Sequence, residues 1–130
     1  MEKGAHPLRF VLHEHFARHH HFDLRLEHVG VLVSWAVPKG LPEKAGERRL
    51  AIAVDDHPLG YLGFEGMIPE GEYGAGVVRI FDRGGYELIE RTEDKIVVRL
   101  HGQRLDGTYA IIKFKGKESS EKNWLIMRTH

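Results

Sequence analysis

The chain has 130 residues, and its 19 lysines and arginines match its 19 aspartates and glutamates in number, so the formal net charge is zero. This balance excludes a protein that coats nucleic acid through an overall positive field, so any polyanion has to meet a local cluster of charges. The absence of cysteine excludes disulfides and thiolate metal sites, and no apolar run approaches the ~18 residues of a membrane-spanning helix. We therefore expect one soluble, monomeric, cytoplasmic domain over residues 1–130, with a short N-terminal arm over residues 1–9.

A histidine-rich stretch near the N-terminus carries six of the ten histidines, all between residues 13 and 28. At its end, in residues 21–27, polar and apolar residues alternate strictly, which predicts a half-buried strand. The apolar side chains of this strand then face the core: Phe22, Leu24 and Leu26. His21, Asp23 and Arg25 share the opposite face, where the Cα atoms of the first two lie about 6.6 Å apart. At that separation both side chains can bind one metal ion with bonds of about 2.0–2.2 Å.

A further histidine, His15, can reach the same ion only if the chain reverses before His21. In one straight strand the two residues would stand about 20 Å apart. We therefore predict a β-hairpin in which residues 9–15 form the first strand and residues 16–20 form the loop. His15 then faces His21 across the ladder at about 5 Å, and His13 lies on the same side.

These residues predict a site of two histidines and one aspartate, His15, His21 and Asp23, with a phosphate-sized anion held beside it by Arg25. A ligand set without sulfur disfavours a structural zinc finger, and it suits manganese, iron(II), cobalt or catalytic zinc. The alternative is a solvated histidine-rich hairpin that binds metal only adventitiously.

The rest of the chain predicts an all-β fold, because 15 glycines and 5 prolines separate short β-branched runs. The predicted strands cover residues 31–37, 49–55, 77–82, 86–91, 95–101, 107–114 and 123–128. We expect a closed or nearly closed antiparallel β-barrel of about eight strands with short helical turns, because closure leaves no sheet edge exposed.

Several local features refine this expectation. In the strand 49–55, the larger apolar side chains are predicted to point inward: Leu50, Ile52 and Val54. Residues 58–62 can form one helical turn, and residues 67–76 form a close-packed glycine-rich loop. The sequence Arg83-Gly84-Gly85 predicts a hairpin turn between two strands. Residues 115–122 are predicted to form a charged, mobile loop.

Further basic residues can gather beside the proposed ion: Arg25, Lys39, Arg49 and the Asp55-Asp56-His57 corner. Guanidinium groups bind phosphate oxygens through two hydrogen bonds, and a lysine adds a point charge. A cation together with two arginines and a lysine suits phosphoryl transfer, which needs positioning and neutralisation of developing negative charge. His57 can protonate a leaving oxygen or stabilise the transition state. Each residue alone is more often ordinary surface, so the prediction depends on their coincidence.

Linked motifs run from about residue 10 to residue 128. They are His15 with HFDLRLE at 21–27, SWAVPKG at 34–40, RLAIAVDDHPLGY at 49–61, FEGMIPEGEYGAG at 64–76 and WLIM at 124–127. In this order they resemble the 3′-phosphoesterase domain of bacterial DNA ligase D and its free-standing relatives.

The resemblance implies a compact β-barrel and a manganese-dependent enzyme that heals 3′ ends, with cobalt or another divalent transition metal as a substitute. Such an enzyme removes a 3′-terminal ribonucleoside from a primer strand and then hydrolyses the 3′-phosphate to leave a 3′-hydroxyl. The implied partners are DNA or DNA/RNA primer-template 3′ ends, with a ligase, a polymerase or end-binding proteins acting in trans.

By motif position, the resemblance implies that the metal ligands are His15, His21 and Asp23. It also implies contacts with the phosphate and the transition state for Arg25, Lys39, Arg49 and His57. Asp55 and Tyr61 match further active-site positions. His13 stands where relatives usually have glutamine, and it can add a metal ligand or a polar contact in the second shell. The short N-terminal arm matches none of the supporting residues of longer relatives, which leaves the balance of the two activities open.

Two other readings are consistent with the same residues. A cupin-like non-haem iron oxygenase also combines a β-barrel with two histidines and a carboxylate, although it has little use for clustered basic residues. A metal-stabilised nucleic-acid-binding module without catalysis is the second. Few aromatic residues and a neutral net charge disfavour it.

Overall fold

Strands dominate the computed structural model, which describes residues 7–114 and 121–130. The strands are β1 (Leu8–Phe16), β2 (His21–His28), β3 (Val31–Val37), β4 (Arg48–Pro58), β5 (Gly66–Ile68), β6 (Gly76–Arg91), β7 (Lys95–Gly102), β8 (Asp106–Lys113) and β9 (Asn123–Arg128). Within the described ranges, the one helix is a 3₁₀ helix at Leu59–Gly63. No helix among these residues is long and apolar enough to cross a membrane.

The strands close into an eight-stranded antiparallel barrel. Hydrogen bonds join them in the order β1-β2-β3-β4-β9-β8-β7-β6, and β6 pairs back to β1. The ninth strand, β5, lies outside this ring and pairs with the first residues of β6. The predicted all-β fold and the predicted closure are therefore confirmed.

The barrel interior is filled by apolar side chains from every side of the ring. Strands β1 and β2 contribute alternate residues, among them Phe10, Leu12, Leu24 and Leu26. Two indole rings, those of Trp35 and Trp124, meet edge to face with centroids 5.8 Å apart. Because the apolar alternation of β1 and β2 serves the core, their polar residues project from the outer wall of the barrel, where the site lies.

The inward face of β4 differs from the prediction. Leu50 is 42% exposed, whereas Ala51 is fully buried and Ala53 packs against the core. These two alanines pair with Trp124 and Trp35 on the neighbouring strands. The prediction for Leu50, Ile52 and Val54 is therefore wrong, because the two indoles occupy the interior at this level and leave room only for methyl groups. The larger residues of β4 face the other side of the sheet.

The predicted hairpin turn at residues 83–85 is also wrong, because β6 runs without a break from Gly76 to Arg91. A Cβ atom on Gly84 would collide with the carbonyl oxygen of His101 on β7. Neither Gly84 nor Gly85 has a positive φ angle. Glycine therefore permits a close approach of strands here, and it does not serve a turn.

Other segments follow the predictions with small differences. The predicted helical turn is the 3₁₀ helix, and the predicted loop 67–76 begins two residues late because β5 takes its first two positions. Strand β1 begins at Leu8, within the predicted N-terminal arm, and residues 1–6 of that arm lie outside the described residues. Most of the loop predicted at 115–122 also lies outside them.

Asp82 holds the connection between β7 and β8 from the barrel interior. Its side chain is buried, and its carboxylate accepts hydrogen bonds from the backbone N–H groups of Arg83, Gln103, Arg104 and Leu105 at 2.7–3.0 Å. A buried carboxylate with four donors is a strong hydrogen-bonding group, because each donor binds a full negative charge.

We predict that Asp82→Ala lowers the free energy of unfolding by about 3 kcal/mol, because it leaves buried donors without an acceptor. Urea denaturation measures the change. The control is Asp106→Ala, which removes a largely exposed carboxylate paired with Arg99 and should cost less than about 1 kcal/mol. Equal losses in the two variants would contradict the role of Asp82.

Candidate active site

The β1–β2 hairpin brings the predicted metal ligands together. Its register places His15 opposite His21 and His13 opposite Asp23. The chain reverses between Phe16 and His21, where the strands β1 and β2 end and begin. All four polar side chains therefore project from one face of two neighbouring strands, as the alternation of the sequence requires.

Three of these residues form a compact donor group. One nitrogen from each of His15 and His21 and an oxygen of Asp23 all lie within 4.8 Å of one another. His15 Nδ1 is 3.5 Å from Asp23 Oδ2, and His21 Nε2 is 3.3 Å from Asp23 Oδ1. Two imidazole nitrogens and one carboxylate are a ligand set used by divalent transition metals.

The hydrogen bonds of the two imidazoles test whether a cation fits this group. His15 Nε2 is 2.7 Å from the carbonyl oxygen of Gly74, and His21 Nδ1 is 2.8 Å from that of His19. Since a carbonyl only accepts, both nitrogens carry protons. In neutral rings the other nitrogens then direct lone pairs at the Asp23 carboxylate. Either a proton on the ring, which makes a hydrogen bond to Asp23, or a metal cation relieves this contact between acceptors. An imidazole whose second nitrogen donates to a carbonyl is also the usual metal-ligand arrangement.

The charges around Asp23 keep its carboxyl group ionised. Burial alone would raise the pKa of Asp23, but the hydrogen bond with His21 and the positive charge of Arg25 hold it below its ordinary value. The same hydrogen bond with Asp23 raises the pKa of His21 above its usual value. The group therefore offers a negative oxygen ligand at neutral pH.

Arg25 is a buried cation, 4% exposed, beside the donor group. Its Nη2 is 3.4 Å from Asp23 Oδ2, and its guanidinium lies 4.9 Å from the centre of the Tyr61 ring. Its Nε donates to His13 Nδ1 at 3.2 Å. Burial lowers the pKa of Arg25, and the charge of Asp23 opposes that shift. Held on three sides, the guanidinium has a fixed direction, which favours recognition of a planar or tetrahedral oxyanion.

His13 supports Arg25 and is not part of the donor group. Its side chain is fully buried, its Nδ1 accepts from Arg25, and its Nε2 donates to the carbonyl oxygen of Phe64 at 3.0 Å. Burial, with the nearby positive charge of Arg25, lowers the pKa of His13 to about 4. The ring is therefore neutral at neutral pH. Of the two roles predicted for His13, a metal ligand or a polar contact, its geometry corresponds to the polar contact.

His57 and Tyr61 complete the wall beside Arg25. His57 Nδ1 lies 3.1 Å from Arg25 Nη1 and 3.0 Å from the carbonyl oxygen of Asp55. An arginine only donates, so the contact with Arg25 requires a lone pair on Nδ1 and a proton on Nε2, whereas the contact with the Asp55 carbonyl requires the proton on Nδ1. The two contacts therefore belong to different tautomers of the neutral ring. Burial and the charge of Arg25 lower the pKa of His57, so this ring is neutral too.

These side chains line one cavity of about 350 Å³. Seven of the residues predicted for the active site border it: His15, His21, Asp23, Arg25, Asp55, His57 and Tyr61. The end of β5 and the segment after it add residues that the sequence did not predict for the site: Ile68, Tyr73 and Gly74. The glycine-rich motif marked this segment as close-packed, but only its position over the hairpin shows that the Gly74 carbonyl orients His15.

Two predicted phosphate contacts lie outside the residues that line the cavity. Arg49 Nη1 donates to the carbonyl oxygen of Lys39 at 2.6 Å, with Gly40 and Leu41 at 3.4 Å, and Nη2 pairs with Glu47 at 3.4 Å. The side chain of Lys39 is exposed. Arg49 therefore braces the segment after β3, and the phosphate contacts of both residues stay predictions.

A closed barrel that carries two imidazoles, a carboxylate and a buried guanidinium in one cavity defines a class: a candidate metal-binding domain suited to phosphate esters. The family model of the DNA Ligase D 3′-phosphoesterase domain matches residues 13–113 of this chain. The chain belongs to this family, which confirms the resemblance seen in its motifs.

Individual relatives are similar over nearly the whole chain. The multifunctional non-homologous end joining protein LigD of Mycolicibacterium smegmatis is 50% identical over 131 residues, which cover 92% of this chain and 16% of that protein. The corresponding DNA repair protein of Mycobacterium tuberculosis is 52% identical over 123 residues, with 92% and 16% covered. The LigD protein of Pseudomonas aeruginosa is 39% identical over 128 residues, with 93% and 15% covered. The chain thus spans 15–16% of the length of these relatives.

We predict that Asp23→Asn, which keeps the side-chain size and removes the charge, weakens binding of Mn²⁺ more than about 100-fold, because loss of a ligand exceeds the 10–100-fold cost of losing a supporting contact. Isothermal titration calorimetry measures the affinity. The control Asp56→Asn changes an exposed carboxylate on β4 outside the donor group and should bind as the unaltered domain does. Equal affinities for all three proteins would contradict the site.

We predict that His13 makes the metal-free domain less stable in acid. Its pKa is about 4 when folded and 6.5 in its unperturbed state, so between these values the unfolded chain binds more protons. The free energy of unfolding therefore falls as the pH drops through this window, by about 3 kcal/mol from His13 alone, and is unaffected by His13 above it. His13→Gln keeps a donor and an acceptor but cannot titrate. Urea denaturation across this range should show a shallower pH dependence for His13→Gln, and identical profiles would contradict the role of His13.

Proposed function

We propose that this domain is a metal-dependent phosphoesterase that heals the 3′ ends of DNA strands. The single observation that carries the proposal is the buried guanidinium of Arg25, 3.4 Å from the carboxylate of the candidate metal group. A fixed cation beside a two-histidine, one-carboxylate group is what a phosphate ester requires, because both help to neutralise its developing charge. Membership of the 3′-phosphoesterase family supports the same reaction class.

The substrate and the cell process are part of the proposal. The matched relatives are named as proteins of non-homologous end joining, which supports a role in preparing broken ends before they are joined. We propose manganese as the physiological ion and two successive reactions. The first removes a 3′-terminal ribonucleoside from a DNA or DNA/RNA primer strand, and the second hydrolyses the remaining 3′-phosphate. A ligase, a polymerase or end-binding proteins would use the resulting 3′-hydroxyl.

The residues of the cavity would divide the work. A divalent ion held by His15, His21 and Asp23 would polarise a phosphoryl oxygen and lower the pKa of a water molecule. Arg25 would bind the non-bridging oxygens, and its fixed orientation means that little entropy is lost when the substrate arrives. His13 would keep that orientation through its bond to Nε of Arg25.

His57 would donate a hydrogen bond. In the tautomer whose Nδ1 accepts from Arg25, Nε2 carries a proton, and we propose that this tautomer offers it to a phosphate oxygen. The lowered pKa of His57 keeps the ring neutral, which favours stabilisation of the transition state over proton transfer to the leaving oxygen. Tyr61 packs against both side chains and limits access of water on that side.

The rim of the cavity suits a terminal nucleoside. Tyr73 borders the cavity with 97% of its surface exposed, so its ring is free to stack on a base. On another side, Lys39 keeps an exposed side chain while Arg49 holds its backbone. We propose that Lys39 reaches the phosphate of a bound strand and that Arg49 supports it.

The test uses a labelled primer-template whose primer ends in one ribonucleotide, incubated with the domain and a panel of divalent metals. We predict metal-dependent shortening by one nucleoside followed by release of phosphate. Arg25→Lys keeps the charge but loses the two-pronged contact, so kcat should fall by about 100-fold or more while metal binding is retained. The matched control Arg99→Lys, on an exposed arginine paired with Asp106, should be as active as the unaltered domain.

The rival reactions give different results in the same tubes. Consumption of oxygen with iron(II), without phosphate release, would contradict the proposal and indicate an oxygenase instead. Binding of the primer-template without any product would leave a non-catalytic module. Full activity of Arg25→Lys would contradict the role given to the guanidinium.

A further inference from the structure

A second concavity, here called the arginine groove, lies on the surface next to the candidate active site. Its volume is about 680 Å³, and its walls include Arg9, Leu62, Phe81, Arg83 and Arg104. Three of its ten lining residues are arginines and one, Asp82, is acidic, although the whole chain has no net charge. A local concentration of guanidinium groups on a protein without net charge indicates a binding site for an anion.

The arginine groove follows an interrupted edge of β6. On this edge β6 pairs with β5 at residues 76–78 and with β7 from Gly84 onward. Within residues 7–114 and 121–130, no strand lies beside the residues between these pairings on this edge. The gap leaves an open channel, with the 3₁₀ helix on one side and the β7–β8 connection on the other.

The acidic residues near the groove are already compensated. Asp82 is buried and accepts four backbone hydrogen bonds, and Glu27 pairs with Arg9 at 3.0 Å. Arg83 and Arg104 are exposed, and the guanidinium of neither has a carboxylate oxygen within 4.0 Å in the part of the chain that the structure describes. The guanidinium of Arg104 lies 4.4 Å from the centre of the Phe81 ring, which holds its plane in place. Two guanidinium groups without an acidic partner, one of them oriented by Phe81, are therefore available to bind an anion.

The arginine groove and the active-site cavity share a wall. Leu62 of the 3₁₀ helix borders the groove, and the preceding residue, Tyr61, borders the cavity. At the end of the helix, a Cβ atom built on Gly63 would lie 3.9 Å from Nη1 of Arg83. A chain that leaves the cavity over this helix enters the groove within a few residues' distance.

We propose that the arginine groove binds the phosphodiester backbone of the strand whose 3′ end occupies the active-site cavity. This inference rests on the proposed function, since it gives that strand its path. Each strand of a duplex carries one phosphate per about 3.4 Å of helix axis, so nucleotides just upstream of the end would meet Arg83 and Arg104. Guanidinium groups bind phosphate oxygens in pairs of hydrogen bonds and read no base, so the contact positions any sequence.

A binding experiment tests the groove without any catalysis. The probe is a fluorescent primer-template, and its affinity is followed by anisotropy at several salt concentrations. For Arg83→Glu/Arg104→Glu we expect binding at least about 10-fold weaker and a salt dependence shallower by roughly 1.4–1.8 in slope, because two phosphate contacts are lost. The control Lys44→Glu/Arg91→Glu makes the same change in net charge on exposed residues outside both concavities. If both double variants bind alike, or as the unaltered domain does, the inference is overturned.

A length series then connects the groove to turnover. The double variant should lose at least about 10-fold in kcat/KM on a primer long enough to cross the groove, relative to its loss on a trinucleotide that cannot reach it. Equal losses on both lengths would overturn the inference. Arg83→Gln, a milder change, should show a smaller loss in the same direction, and thermal unfolding followed by circular dichroism verifies that each variant is folded.

The two proposals fail in different ways. An unaltered domain that cleaves no substrate would end the proposed function, while the anisotropy comparison would still decide the groove. If the unaltered domain cleaves the primer and the arginine substitutions change neither binding nor cleavage, the proposed function stands and the proposed path of the strand through the groove is contradicted.

Discussion

The organisation of the site depends on one buried negative charge, the carboxylate of Asp23. A carboxylate removed from water is costly unless positive charges and donors surround it. Here the positive charge comes from Arg25, 3.4 Å from one of its oxygens, and from the proton or metal cation that the two imidazoles, at 3.3 and 3.5 Å, would share with it. That requirement places the candidate metal ligands and the guanidinium proposed to bind phosphate within a single cavity, so the same carboxylate sets the geometry for both.

The guanidinium of Arg25 is in turn held in place by a neutral hydrogen-bond partner. A second carboxylate beside its Nε would cancel the positive charge that a substrate needs. His13 instead offers a lone pair from a ring whose pKa of about 4 keeps it neutral. The contact fixes the guanidinium and leaves most of its charge available, which is the arrangement expected of a cation that serves a ligand.

The sequence predicted the parts of the site that follow from alternation on a strand. His15, His21 and Asp23 converge because a two-residue period and one reversal determine the face of each. The inward face of β4 was not predictable in the same way, because it depends on the volumes of Trp35 and Trp124 on other strands. The contact of Gly74 with His15 joins residues 59 positions apart, and no local pattern records it.

The two glycines at 84 and 85 show the same limit of prediction from local sequence. Gly84 and Gly85 match a turn signal, yet they stand where three strands approach closely, and the distinction lies in residues far along the chain. Likewise, the basic character of Arg49 was visible, but its bonds to the 39–41 carbonyls depend on how that segment folds back. Predictions from one sequence held where the cause is local, and they failed where distant side chains compete for space.

The seam between β1 and β6 has a consequence for how the domain folds. It pairs Leu8 with Tyr86 and His15 with Val78, so it joins distant parts of the chain, whereas the β1–β2 hairpin joins near neighbours. Contacts of long sequence separation form slowly, because a large loop must close before they are made. We expect the metal-ligand hairpin to form early and barrel closure to be the late, rate-limiting event, so a chain stalled before closure would already expose its histidine cluster.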